Sequence, residues 1–90
     1  MKNLKNLGRK FKALGNERRL RIIEVLLKQK KLAVGEISDK IQLSFRSTSR
    51  HLKVLESAGL VSWEQVGINV YYFISPEAPK EFLDLVKKLV

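Results

Sequence analysis

Between Ser44 and Lys53 the chain reads Ser-Phe-Arg-Ser-Thr-Ser-Arg-His-Leu-Lys. Guanidinium groups, an ammonium group and several hydroxyls stand side by side with the only histidine. Cationic donors of this kind suit oxyanions, and short hydroxyls permit close approach to planar acceptors. Helical spacing sorts the set into two faces. Thr48, Leu52 and Leu55 recur at four and three, an inward spacing. Arg46, Ser49, Arg50 and Lys53 recur at three, one and three, a polar and basic outward side. No Ser/His/Asp or Cys/His set accompanies His51, so no catalytic residue is expected and the chain is read as a non-enzyme.

The charge of the whole chain fits that segment. Eighteen Lys and Arg face nine Asp and Glu, a net of +9 over 90 residues. Residues 1–53 hold fifteen basic and four acidic side chains, a net of +11. Residues 54–90 hold three and five, a net of −2. A face that binds a polyanion produces such asymmetry, since each cation near a phosphate releases condensed counterions. Solubility alone would also tolerate it, and charge does not separate DNA from RNA or from an acidic membrane. The absence of cysteine excludes disulfides and thiolate metal sites. Transition-metal sites favour imidazole or thiolate, so no metal and no cofactor are expected. Met1 to Lys5 is charged with no long apolar run behind it, so no secretory leader is expected. No stretch approaches the roughly 18 apolar residues of a membrane span. These features predict one domain over residues 1–90 in the cytoplasm.

Around the basic segment the periodicity predicts the elements that hold it. Leu4, Leu7, Phe11 and Leu14 form one stripe of a first helix over 3–14, closed by Gly15. Asn16 caps a second helix from about Glu17 to Lys28, whose broad apolar set (Leu20, Ile22, Ile23, Val25, Leu26, Leu27) suits a central position. Leu32-Ala33-Val34 reads as a short strand and Glu36 to Ile41 as a short helix. Gln42-Leu43-Ser44 is a tight break. Ser44 caps a fourth helix from about Phe45 to Ala58, which Gly59 stops. The period then turns to alternation. Val61 to Val66 and Val70 to Ile74, joined through Gly67-Ile68-Asn69, read as a hairpin. Two prolines precede a last helix over 79–90, with Phe82, Leu85, Val86 and Leu89 on one side. The fold class is mainly α with a β-hairpin, in the order α-α-(β)-α-α-β-β-α.

A short helix, a tight turn and a second helix with a basic outward face match the helix-turn-helix arrangement, whose second helix enters the major groove. An ordinary amphipathic helix shares the two faces. The combination with the break and the hairpin is the specific part. On this reading Phe45, Arg46, Ser47 and Ser49 meet base edges, Arg50 a base or a phosphate, and Lys53 a phosphate. Arg19, Ser44 and His51 are further candidates for phosphate contact. Arg19 has two readings, pinning the second helix to the DNA backbone or pairing with an acidic neighbour such as Glu24 or Glu56.

The segment from Phe11 to Ile23, FKALGNERRLRII, resembles the opening signature of ArsR/SmtB-type regulators. Ser44 to Val61, SFRSTSRHLKVLESAGLV, is similar to that family's recognition helix and the turn into its wing. Val70-Tyr71-Tyr72-Phe73 resembles the second wing strand. The resemblance covers nearly the whole chain. It implies a winged helix-turn-helix homodimer whose first and last helices form the interface, and a prokaryotic repressor acting on a short inverted repeat in double-stranded DNA. Leu4, Leu7, Phe11, Leu14, Phe82, Leu85, Val86 and Leu89 are the expected interface residues. The chain departs from the family in two places. The positions of a metal-binding Cys-x-Cys pair hold Ala33 and Gly35, and the last helix offers Glu81 and Asp84 but no histidine, so the usual metal sensing is not expected. The wing, Glu64-Gln65-Val66-Gly67-Ile68-Asn69, carries no basic residue. Its acidic and apolar character also fits a module that binds protein, and structured RNA is another rival ligand. No small-molecule effector can be named from these residues.

Overall fold

The computed structural model describes residues 3–90. Met1 and Lys2, which open the charged amino-terminal segment, lie outside the described residues. The elements run α1 (Leu4–Leu14), α2 (Glu17–Gln29), β1 (Lys31–Ala33), α3 (Val34–Ile41), α4 (Phe45–Ser57), β2 (Val61–Val66), β3 (Asn69–Ile74) and α5 (Lys80–Leu89). The expected order is therefore observed.

Local side-chain chemistry sets the helix boundaries. Asn3, Asn16 and Ser44 each accept a hydrogen bond from the backbone N–H three residues on, at 3.0, 3.1 and 3.1 Å. Each such cap satisfies a donor that the helix itself cannot, and contributes about 1 kcal/mol. At the other end of α4, Gly59 takes φ 78°. Gly59 N–H donates to Glu56 O and Leu60 N–H to Leu55 O. That is a Schellman closure, and it turns the chain directly into β2. Gln42 ends α3 the same way with φ 56°. Its N–H and that of Leu43 donate to the carbonyls of Asp39 and Ser38.

Most element ends lie within a residue of the sequence reading, and the clearest difference is around β1 and α3. The first strand is Lys31–Ala33 and not Leu32–Val34, and α3 begins at Val34 instead of Glu36. The Glu36 carboxylate accepts from the Ala33 N–H at 2.8 Å, which makes Ala33 the cap and Val34 the first helical residue. Lys31 joins the sheet by pairing with Phe73.

The sheet has the order β1-β3-β2, antiparallel throughout. Trp63 pairs with Tyr72 and Leu32 with Tyr72, so these three share the inner face with Val61. Glu64 and Ala33 pair with Tyr71 on the outer face, where Lys31 Nζ reaches Glu64 across β3 at 2.6 Å. Gly67, at φ 64°, leads a two-residue turn into β3, the position that type II′ hairpins reserve for glycine.

The core is built around α2, whose Ile22, Ile23, Val25 and Leu26 are all buried. α2 meets α1, α3, α4, α5, β1 and β3. From α4 come Thr48, Leu52 and Leu55, all fully buried, so the predicted inward face is the observed one. The Thr48 hydroxyl is an exception to the usual pairing of buried polar groups, because it has no hydrogen-bond partner. Thr48→Val keeps the shape and removes that hydroxyl. We expect the variant to be more stable by about 1 kcal/mol in urea unfolding.

Candidate nucleic-acid interface

With Thr48, Leu52 and Leu55 locked in the core, the rotation of α4 about its axis is set. Arg46, Arg50 and Lys53 are exposed, and Ser47 and Ser49 are half-buried between them. Among the described residues, none of the three cations takes part in an ion pair or a side-chain hydrogen bond with another residue, so their donors face solvent. Arg46 and Arg50 lie one turn apart in one row, and Phe45 and Ser49 form the neighbouring row. Phe45 is the first residue of the helix and is 61% exposed. The Ser44 hydroxyl accepts the Ser47 N–H but remains at the surface, with its own proton available to an acceptor. The structure thus groups Arg46, Arg50 and Lys53 on the outward side of α4, with Phe45 and Ser49 flanking them on one side and Ser47 on the other.

Arg19 and His51 are placed differently. Neither Glu24 nor Glu56 pairs with Arg19: Glu24 faces Arg21 and Lys28 at 3.7 and 3.6 Å, and Glu56 accepts the Trp63 indole N–H at 2.9 Å. Instead Arg19 Nε donates to the Ala13 carbonyl at 2.6 Å, and Nη2 to Lys12 O at 3.4 Å. The reason lies at the end of α1. Gly15 there has φ −79°, not the left-handed value, so carbonyls of the last turn need another donor. A guanidinium at a helix C-terminus also meets the negative end of its dipole. The remaining arm, Nη1, lies 3.2 Å from His51 Nδ1. Arginine only donates, so Nδ1 accepts and the imidazole is neutral with its proton on Nε2. Burial and the positive charges of Arg19, Arg18 and Arg50 hold the His51 pKa below its ordinary 6.5. Arg19 therefore fastens α1, α2 and α4 together behind the outward face. The sequence holds no local signal for this, because the partners are six to 32 positions away.

The terminal helices present the apolar surface that the stripes predict, with one correction. Leu4, Leu7, Phe11, Leu85 and Leu89 are exposed and Leu14 is half-buried. Phe82 and Val86, expected at the subunit interface, are only 7% and 5% exposed and belong to the core of their own chain. The Phe11 ring meets Phe82 edge-on, with centroids 4.9 Å apart. So α5 first packs inside the chain and only its outer rim, with that of α1, is left apolar and uncovered.

The wing is uncharged toward its tip. Val66 and Ile68 are exposed, Ile68 almost completely at 95%. Trp63 lies closer to the body, held over α4 by Glu56. Among the described residues no group of His, Asp and Glu could hold a metal ion, and no helix is long and apolar enough to cross a membrane.

A three-helix unit with a buried-face recognition helix, followed by a hairpin wing, defines a winged helix-turn-helix protein, a DNA-binding regulator class. The model of the bacterial regulatory proteins of the ArsR family matches residues 16–62. The chain is 38% identical over 79 residues to the transcriptional activator HlyU of Vibrio cholerae serotype O1, covering 88% of this chain and 72% of that protein. It is 41% identical over 64 residues to the cadmium resistance regulatory protein CadC of Listeria innocua, spanning 71% of this chain and 54% of that regulator. The solved homodimeric winged helix-turn-helix DNA-binding domain Mb0332 of Mycobacterium bovis superposes with a TM-score of 0.81 at 31% identity, covering 96% of this chain and 76% of that one. The chain belongs to the ArsR family of bacterial transcriptional regulators.

The depressed His51 pKa has a consequence for stability. The unfolded chain binds a proton at this ring more readily than the folded one, so stability is fully present above 6.5 and declines as pH falls through the range below it. Urea unfolding at about pH 7.5 and about pH 5.5 measures the slope. His51→Gln should reduce it.

Proposed function

We propose that this protein is a repressor that works as a homodimer on an inverted repeat in double-stranded DNA, with one α4 in each of two successive major-groove segments. The observation that carries the reading is the outward face of α4: exposed Arg46, Arg50 and Lys53 without side-chain partners among the described residues, backed by a buried Thr48-Leu52-Leu55 row that forbids the helix to roll. Phe45, Arg46, Ser47 and Ser49 read base edges. Arg50 reaches a base or a phosphate, and Lys53 a phosphate. His51, neutral with its Nε2 proton free of the Arg19 contact, is a phosphate donor, and Ser44 another. Arg19 acts indirectly by holding α1 against the recognition unit. A dimer seated on its operator excludes other proteins from that stretch. A chromosomal ligand places the protein in the cytoplasm.

The exposed rims of α1 and α5 support the dimer. Leu4, Leu7, Phe11, Leu85 and Leu89 form an apolar surface on a chain of net charge +9. In a two-fold dimer the same patch serves both subunits. Leu32-Ala33-Val34-Gly35 and α5 supply neither thiolate nor imidazole, so the reading carries no metal step of the Cys-x-Cys or histidine kind.

Selection of bound duplexes from a random pool, with sedimentation of the complex, tests the whole proposal. Inverted repeats bound by two chains are the expected result. On the selected site, Arg46→Ala should cost about 1–3 kcal/mol and relax preference at one position of each half-site, whereas Lys53→Ala should weaken all sequences alike and lower the salt slope by about one. Sequence-blind losses of equal size in both variants would overturn the assignment. Leu85→Glu together with Leu89→Glu, at sites exposed in the single chain, should leave the fold intact by circular dichroism, give monomers in sedimentation and abolish tight operator binding.

A further inference from the structure

We infer that Phe45 is a thymine reader: its ring packs against the C5-methyl of one thymine in each half-site, and that contact, not a hydrogen bond, sets the preference there. The inference rests on the major-groove reading of α4 given above. Phe45 is the leading residue of α4 and exposes 61% of itself to solvent. A large aromatic ring left in water forgoes the gain that burial of apolar surface brings. Arg46 follows it in the chain, and on its other side it borders a hollow lined by Val34, Glu36, Asp39 and Ile68.

In the duplex major groove the acceptors and donors of the base edges belong to Arg46, Ser47 and Ser49. A phenyl ring has no donor for them. The one apolar group a base pair offers in that groove is the thymine methyl. Ser49 stands one turn behind Phe45 on the same row, and its small side chain lets the helix approach closely enough for the ring to reach the groove floor. The ring is also independent of the core. Thr48, Leu52 and Leu55 hold α4 without it, and the cap on α4 comes from Ser44. Phe45 therefore acts on sequence choice with little part in folding.

The chain over residues 1–90 and its selected duplex provide the test. Each thymine is replaced singly by deoxyuridine, which removes only the methyl and keeps every hydrogen-bonding group. We expect one position per half-site where the replacement weakens binding about fourfold, the equivalent of about 0.8 kcal/mol for one buried methyl. Cytosine and 5-methylcytosine compared at the same position should differ by a similar factor. Phe45→Ala should bind thymine and deoxyuridine equally there while unfolding at the wild-type temperature, and Phe45→Leu should keep part of the discrimination. Tight, sequence-selective binding that is indifferent to deoxyuridine at every position overturns the inference and leaves the regulator reading standing. So does discrimination that persists in Phe45→Ala. Failure of the wild-type protein to select any duplex overturns both.

Discussion

The function of this molecule depends on the burial of one row of side chains. Thr48, Leu52 and Leu55 are fully buried against α2 and the sheet. A helix with four or more outward polar positions could present them at any angle. Removing that row from water selects a single angle, because any roll would expose large apolar surface or bury a guanidinium without a partner. The same burial that stabilises the chain thus aims its arginines. The unpaired Thr48 hydroxyl shows that close packing at this helix outweighs the pairing of one polar group.

Behind this helix, Arg19 joins three elements through one planar group. It satisfies carbonyls at the end of α1 and meets the imidazole of α4, and its own backbone N–H takes the cap from Asn16. Because α1 also supplies Leu4, Leu7 and Phe11 to the uncovered apolar rim, the position of that rim relative to α4 is set through Arg19 and through the Phe11–Phe82 contact. In the dimer proposed above, half-site spacing would follow from that relation.

Much of this was legible in the sequence because the signals are local. Asn16, Ser44 and Gly59 mark helix ends with chemistry that acts over three or four residues, and the four-and-three spacing of Thr48, Leu52 and Leu55 reports the buried side of α4 directly. The turn at Gly67 is similarly local. What was not legible depends on distance along the chain. Arg19 has charged neighbours in sequence, yet its partners are backbone carbonyls of α1 and a ring on α4. Phe82 and Val86 carry the same apolar stripe whether they face their own core or another subunit. Periodicity reports which side of a helix is apolar, not what covers it. The start of α3 was obscured by Val34 and Gly35, both poor helix formers. The Glu36 carboxylate that reaches back to Ala33 overrides their preference.

The charge-free wing tip has a kinetic meaning. Proteins find their sites by dwelling briefly on unrelated DNA, and the dwell lengthens with every phosphate gripped. A hairpin ending in Gln65, Val66, Ile68 and Asn69 adds nothing to that grip. Dwell on unrelated DNA is therefore governed by the basic helices, whose residues 1–53 carry a net charge of +11, and not by the wing.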